Sequence, residues 1–153
     1  DRVAKALPSR FTDAAFTGFT TQARGSGLVP FPNRIAPADG LRFTGPVYLM
    51  TSDVTVSGGE LATLAFRQLP NVTQVGGTTR GAFSTPLAKP LPNGWLLELS
   101  NETFADEAGN VFEESGIAPD VALEIYPADN PVAGHWRAVE EVAAMARRRT
   151  PAD

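Results

Sequence analysis

The pattern of hydrophobic and polar residues predicts a strand, a helix and a second strand at the centre of the chain. Residues 46–50 (PVYLM) and 72–76 (VTQVG) are short apolar runs of the kind that lie buried in a parallel sheet. Between them, residues 57–69 carry apolar side chains at helical spacing, and Pro70 ends the helix. Two strands joined by a helix in this way predict a right-handed parallel crossover.

The rest of the pattern predicts elements on both sides of this unit. Residues 24–45 are rich in Gly and Pro and predict a loop that is longer than most connections, so we expect it to cover the molecule or to serve function. The chain has 153 residues, which is enough for one core, and we expect a single domain over 1–153. The further predicted elements are helices at 1–11 and 130–149, strands at 14–23 and within 95–106, and an edge segment at 116–127.

Charge and composition exclude several classes of function. The net charge is −4, with 42% hydrophobic and 20% charged residues, which argues for an ordinary globular protein and against a nucleic-acid partner. No apolar run approaches the roughly 20 residues that span a bilayer, so we expect no membrane span. The chain has 0 Cys and 1 His, which excludes a disulfide framework, a thiolate metal site and a cysteine nucleophile.

The stretch TVSGGEL at 55–61 allows two interpretations of its serine. Ser57 and Glu60 match the capping box S-x-x-E ahead of an apolar helical run, which explains both residues without any chemistry. Alternatively, Ser57 is a nucleophile at the end of a buried strand. Gly58 and Gly59 would then let a substrate approach closely, and the helix N-terminus would suit a developing oxyanion. A nucleophilic serine needs a base, and the neighbouring residues supply none.

Four segments in order resemble the C-terminal-processing (tail-specific) serine peptidases. They are GPVYLMTSDVTVSGGELATLAF, VTQVGGTTRGAF, LPNGWLLELS and VFEESGIAPDVAL, and together they cover about half of the chain. The resemblance implies a Clp protease/crotonase-like α/β fold, with ββα units and a mostly parallel sheet flanked by helices. It also implies that Ser57 is the catalytic serine and that the amide of Gly58 is one oxyanion donor.

The same resemblance distinguishes two catalytic types. One branch has a Ser-Lys dyad whose lysine lies in a turn similar to T-x-G-K-G, and here the turn TRGAF at 79–83 has Ala82 in the lysine position. The other branch resembles the tricorn protease core and interphotoreceptor retinoid-binding protein. In that comparison Glu113 takes the position of the carboxylate that orients a histidine, although Glu113 and Glu114 also fit a pair of solvated loop acids.

Several further roles follow from the resemblance. It suggests that Thr79, Arg80 and Gly81 line the substrate groove, with a plain Gly/Thr turn as the alternative. It implies no metal and no organic cofactor. Asp120 is expected to fix a loop through backbone hydrogen bonds, and Trp95 and Trp136 are expected to be packing residues.

The four matching segments do not include a histidine that could act as the general base. In the similar branch the histidine and the second oxyanion donor lie upstream of the segments that match here. We therefore expect residues 1–153 to be the C-terminal portion of a catalytic domain that is incomplete at its N-terminus and inactive alone. His135 is the sole histidine and so the only candidate base within the chain, but we expect it instead to be a helix cap or a partly exposed surface residue.

These observations lead to one principal hypothesis and one alternative. The first is a serine endopeptidase or C-terminal-processing peptidase that hydrolyses a peptide or unfolded polypeptide through an acyl-enzyme on Ser57, with the N-terminal portion of the same protein as its partner. The alternative is a non-catalytic binding module for apolar ligands or peptides on the same fold. Many peptidases of this type are exported in bacteria, so the resemblance favours the bacterial cell envelope over the cytoplasm. The sequence does not determine the oligomeric state.

Overall fold

The parallel crossover at the centre of the chain is present in a computed structural model, which describes residues 2–23, 25–27 and 29–149. The helix of the crossover begins directly after Ser57, as the sequence predicts. The helices are α1 (Arg2–Ala6), a 3₁₀ turn (Pro8–Phe11), α2 (Gly58–Arg67) and α3 (Pro131–Arg149), and the strands are β1 (Phe16–Ala23), β2 (Phe31–Ile35), β3 (Val47–Thr51), β4 (Val72–Gly76), β5 (Pro86–Pro90), β6 (Leu96–Ser100), β7 (Glu102–Ala105) and β8 (Val121–Ala122).

The parallel sheet contains β3, β4 and β8, with β4 in the middle. Gln74 and Val75 of this central strand are fully buried. The first four residues of β3 are only half-buried, because β3 lies at the edge of the sheet and not inside it as its apolar sequence predicts. Asp120 fixes the loop before β8, as expected, since its carboxylate accepts the N–H of Gln74 at 2.8 Å.

A second sheet is antiparallel and has the order β2, β1, β7. The strand β2 lies inside the segment that was predicted to be loop, so that prediction was wrong for residues 31–35. Pro32 is tolerated because β2 is an edge strand, where a missing N–H need not cost a ladder hydrogen bond. The side chain of Asn33 also ties β2 to β1, by donating to the Thr21 hydroxyl at 2.7 Å.

Strands β5 and β6 form an antiparallel hairpin whose ten residues are all exposed. The sequence analysis predicts no strand for the β5 segment, which has a proline at each end. Trp95, just before β6, is 73% exposed, so the expectation that it packs in the interior was wrong. Of the eight strands in the described residues, five pair in an antiparallel manner, a larger share than the resemblance implies.

The core lies between α1, α2 and the antiparallel sheet, and it includes two residues from loops beside the candidate site. These are Phe83 and Ile117, both almost completely buried together with Phe19 and Leu64. The N-terminal helix presents Ala4 to this core, and Val3 on the same helix is exposed. The loops that carry the candidate residues are therefore anchored in the interior.

Helix α3 spans the predicted range and buries Ala138 and Val142. Trp136 on the same helix is 63% exposed, so it is not the packing residue that the sequence predicts. Among the residues that the structure describes, no helix has both the length and the apolar character needed to cross a bilayer.

Candidate active site

Ser57 stands at the N-cap of α2, but its side chain does not cap the helix. No hydrogen bond joins its hydroxyl to the first turn, and its backbone has φ 51° and ψ −117°. Such a conformation costs a non-glycine residue about 1–3 kcal/mol and persists only where the surroundings impose it. Ser57 is also exposed. The capping-box interpretation of this serine is therefore wrong.

The backbone around Ser57 is held on both sides. Its N–H donates to the carbonyl of Ala82 at 2.9 Å, and its carbonyl accepts from the amide of Glu60 at 2.9 Å. Next along the chain, a side chain at Gly58 would meet no atom within 4 Å, so the approach to this backbone is open. The N–H of Gly58 has no acceptor among the described hydrogen bonds. Its role as an oxyanion donor stays a prediction.

The other half of the expected capping box, Glu60, has a different function in the fold. Its carboxylate is 0% exposed and accepts the N–H of Gly81 at 2.6 Å and the N–H of Ala82 at 2.8 Å. The sequence reading missed this role. The position of Glu60 four residues before the buried Leu64, on the apolar face of α2, was the available signal.

Glu113 is half-buried and is tied to the same loop. Its Oε2 atom accepts the amide N–H of Phe83 at 3.3 Å. The neighbouring Glu114 is exposed and uses its backbone instead, by donating its N–H to the carbonyl of Gly81 at 2.8 Å. Glu113 lines a cleft of about 380 Å³ together with Ser100, Glu102, Thr103, Val111 and Glu114.

One peptide group connects Ser57 to Glu113. The carbonyl of Ala82 accepts from Ser57, and the N–H on the other side of that peptide bond, which belongs to Phe83, donates to Glu113. Two hydrogen bonds of 2.9 and 3.3 Å and one peptide group therefore separate the two residues. This places the Ser57 nitrogen no more than about 8.5 Å from Glu113 Oε2. The structure thus ties the backbone of Ser57 and the side chain of Glu113 to opposite ends of the same peptide group.

The three residues predicted to line a substrate groove have different environments. Thr79 is 4% exposed, and its hydroxyl accepts the N–H of Ile117 at 2.8 Å, so this side chain already has a structural partner. Gly81 is buried and has φ 77°, and a Cβ there would lie 2.7 Å from the carbonyl carbon of Glu114. Arg80 alone of the three has an exposed side chain. A substrate-binding role for these residues stays a prediction.

The ring contacts of His135 are with residues outside this arrangement. His135 belongs to the body of α3, and its ring stacks on Tyr126 with centroids 5.3 Å apart. It is partly exposed, as expected, but it is not the helix cap, since the side chain of Asn130 caps α3 by accepting from Ala133 at 3.1 Å. No described hydrogen bond joins His135 to Ser57 or Glu113. Within the described ranges, no group of three or more His, Cys, Asp and Glu side chains is placed to hold a metal ion.

Comparisons with known proteins show what the chain is similar to. The sequence model of Peptidase family S41 matches residues 9–123. The nisin-resistance protein of Lactococcus lactis subsp. lactis is 29% identical over 76 residues, which are 50% of this chain and 24% of that protein. A solved structure of a peptidase candidate from Parabacteroides merdae superposes with a TM-score of 0.81 at 26% identity, covering 94% of this chain and 46% of the other.

A further solved structure, the photosystem II D1 C-terminal processing protease, superposes with a TM-score of 0.64 at 17% identity. The match covers 88% of this chain and 34% of the D1 processing protease chain. At that identity the likeness shows the fold alone. The predicted fold class, an α/β domain of the Clp protease/crotonase-like type, is confirmed. The chain spans less than half the length of each of these three proteins.

Proposed function

Because the chain belongs to peptidase family S41, we propose that it carries the nucleophile and the orienting carboxylate of a serine peptidase that acts on polypeptides. Ser57 is the nucleophile, and Glu113 is the carboxylate. The observation that carries this proposal is a single peptide group that hydrogen-bonds to the backbone of Ser57 and to the side chain of Glu113. Ser57 is exposed, and its hydroxyl does not cap the helix.

In the proposed reaction, the Ser57 hydroxyl attacks the carbonyl carbon of the scissile peptide bond and gives up its proton to a histidine. The tetrahedral intermediate carries a negative oxygen, which the N–H of Gly58 and the positive end of α2 stabilise. The intermediate collapses to an acyl-enzyme as the histidine protonates the departing amine. Water then releases the acyl group by the reverse sequence of proton transfers.

Glu113 orients that histidine. The amide of Phe83 donates to one carboxylate oxygen, which fixes the side chain and leaves the other oxygen to accept from an imidazole N–H. The Ser57 nitrogen lies no more than about 8.5 Å from this carboxylate, and we propose that one imidazole ring bridges the carboxylate and the Ser57 hydroxyl. No described hydrogen bond joins His135 to Ser57 or Glu113, so we propose that the histidine comes from polypeptide outside residues 1–153 and that this chain alone is inactive.

A second candidate function is a binding module without catalysis. The observation that favours it is the exposed β5–β6 hairpin, where Leu87 and Leu99 line a shallow cleft of about 240 Å³ with Lys89, Ser100 and Asn101. An exposed apolar patch on a hairpin suits an apolar ligand or an extended peptide.

Covalent labelling of the full-length native protein with a fluorophosphonate probe separates the two candidates. We expect labelling of the wild type, none of Ser57→Ala, and unchanged labelling of Ser9→Ala, a control serine whose hydroxyl donates to the carbonyl of Ala6. A folded wild-type protein that the probe does not label, or labelling that survives in Ser57→Ala, would contradict the peptidase proposal and favour the binding module.

A further inference from the structure

Glu60 is a buried carboxylate that takes no part in the proposed chemical steps. A carboxylate with 0% exposure is strongly disfavoured unless its charge is compensated. Here the compensation comes from two amide N–H groups, at 2.6 and 2.8 Å, and from the N-terminal turn of α2, where the helix dipole favours a negative charge. Neither salt bridge in the described residues includes Glu60.

Three consecutive amides of one loop donate to two carboxylates. Gly81 and Ala82 donate to the two oxygens of Glu60, and Phe83 donates to Glu113. The carbonyl of Ala82 in the same loop accepts from Ser57. The loop that Glu60 holds is therefore the one that connects the serine to the second carboxylate.

The opposite side of this loop is held as well. The carbonyl of Gly81 accepts from Glu114 at 2.8 Å, and the space beside its Cα is so narrow that a Cβ would lie 2.8 Å from the nitrogen of Gly116. The loop therefore lies between α2 and the 114–116 backbone. A change on the Glu60 side shifts the peptide group that fixes Ser57 and Glu113.

We propose that Glu60 is a positioning residue, which sets the distance between Ser57 and Glu113 by locking the 81–83 loop. The local part of this inference is independent of the reaction, and its catalytic consequence rests on the proposed function. Glu60→Gln is the sharpest variant, because glutamine keeps the shape of the side chain but turns an NH₂ group towards one of the two amide donors.

The first measurement is residue-resolved amide hydrogen exchange on residues 1–153. In Glu60→Gln we expect exchange at 81–83 to accelerate by about tenfold or more, with the interior of α2 unchanged. Glu140→Gln, an exposed glutamate on α3, is the matched control and should leave both regions unchanged. Unchanged exchange at 81–83, or an equal acceleration at all amides, would overturn the local part of the inference.

If Glu60→Gln does not fold, Glu60→Asp is measured in the same way. This variant keeps the charge, but its carboxylate is one methylene too short to reach both amides, so we expect the same local acceleration. A uniform acceleration in Glu60→Asp would overturn the inference.

The second measurement is the kinetics of fluorophosphonate labelling in the full-length native protein. A positioning role predicts that the maximal labelling rate falls by about tenfold or more while the probe concentration for half-maximal rate stays constant. Altered exchange with an unchanged maximal rate would reduce Glu60 to a structural role and overturn the inference. A wild type without labelling overturns the proposed function instead, and the exchange data then stand by themselves.

Discussion

The amide of Ser57 donates to the carbonyl of Ala82 at 2.9 Å and thereby fixes the serine to a loop from a different part of the chain. The positive φ of Ser57 is unfavourable in isolation, and this contact, with the bond from Glu60 to the serine carbonyl, explains why it persists. The hydroxyl at the start of α2 is thus left outside the hydrogen bonding of the helix. Changes in the 81–83 loop should accordingly affect the site and the fold together.

The first prediction compares two glycines with positive φ. Gly81→Ala and Gly109→Ala both place alanine in the left-handed region, at φ 77° and 88°. Only at Gly81 would the new Cβ clash, at 2.7 Å from Glu114, whereas nothing lies within 4 Å at Gly109. We expect Gly81→Ala to lower the free energy of unfolding by about 2 kcal/mol more than Gly109→Ala, measured by urea denaturation. Equal losses would show that the loop can move away from the 114–116 backbone.

The second prediction concerns the anchor of the loop in the core. Phe83 is almost fully buried beside Ile117, and truncation to alanine leaves a cavity. We expect Phe83→Ala to lower the free energy of unfolding by about 3–5 kcal/mol. Phe31→Ala, on the exposed edge strand β2, is the control and should cost less than about 1 kcal/mol. Losses of similar size in the two variants would mean that Phe83 is not a core residue.

Hydrophobic periodicity predicted the central crossover and α3 well, because each has one face that must be buried. It failed where burial does not determine the structure. The strands β2 and β5 are held by strand pairing, and the prolines at 32, 86 and 90 argue against a strand in a prediction from pattern alone. The exposure of Trp95 and Trp136 has the same origin, because side-chain size predicts burial only where a neighbouring element covers the residue.

The candidate site could be predicted in part. Ser57 and Glu113 were identified from the order of four segments, and their proximity depends on the backbone of 82–83, where the sequence carries no distinctive side chain. The role of Glu60 could not be predicted from the sequence, because a glutamate three residues after Ser57 fits a capping box as well as it fits a buried carboxylate. Only the path of the 81–83 loop distinguishes the two.

The third prediction concerns Gln74 at the centre of the parallel sheet. Its side chain is fully buried; it donates to the Thr51 hydroxyl at 2.9 Å and to the carbonyl of Ile117 at 3.2 Å, and it accepts from Arg67 at 2.8 Å. Methionine has a similar volume but leaves these polar groups without this partner. We expect Gln74→Met to lower the free energy of unfolding by about 2 kcal/mol, measured by thermal or urea unfolding.

The control for that variant is Gln68→Met at the C-cap of α2. Gln68 is half-buried, and its side chain makes one hydrogen bond, to the carbonyl of Leu64 at 3.3 Å. We expect Gln68→Met to change the free energy of unfolding by less than about 0.5 kcal/mol. If the free energy of unfolding falls equally in both variants, the buried hydrogen bonds of Gln74 contribute no more to stability than the single hydrogen bond of Gln68.

The fourth prediction distinguishes the two adjacent glutamates. Glu113→Gln removes the charge that the proposed histidine needs, so we expect the rate of fluorophosphonate labelling in the full-length native protein to fall by about 10²–10⁴-fold. Glu114→Gln is the matched control. Its side chain is exposed, and its contact with the loop uses the backbone N–H, which the substitution retains. The labelling rate of Glu114→Gln should therefore stay within about twofold of the wild type.

Measurements of the free energy of unfolding of Glu113→Gln and Glu114→Gln show whether a lower labelling rate reflects a changed site or a destabilised fold. The amide of Phe83 can still donate to the side-chain carbonyl of glutamine, so Glu113→Gln should unfold within about 1 kcal/mol of the wild type. A variant that is as stable as the wild type but labels slowly has lost the orientation of the base and not the fold. If Glu114→Gln loses the labelling rate and Glu113→Gln keeps it, the orienting carboxylate is Glu114, and the connection through Phe83 is structural only.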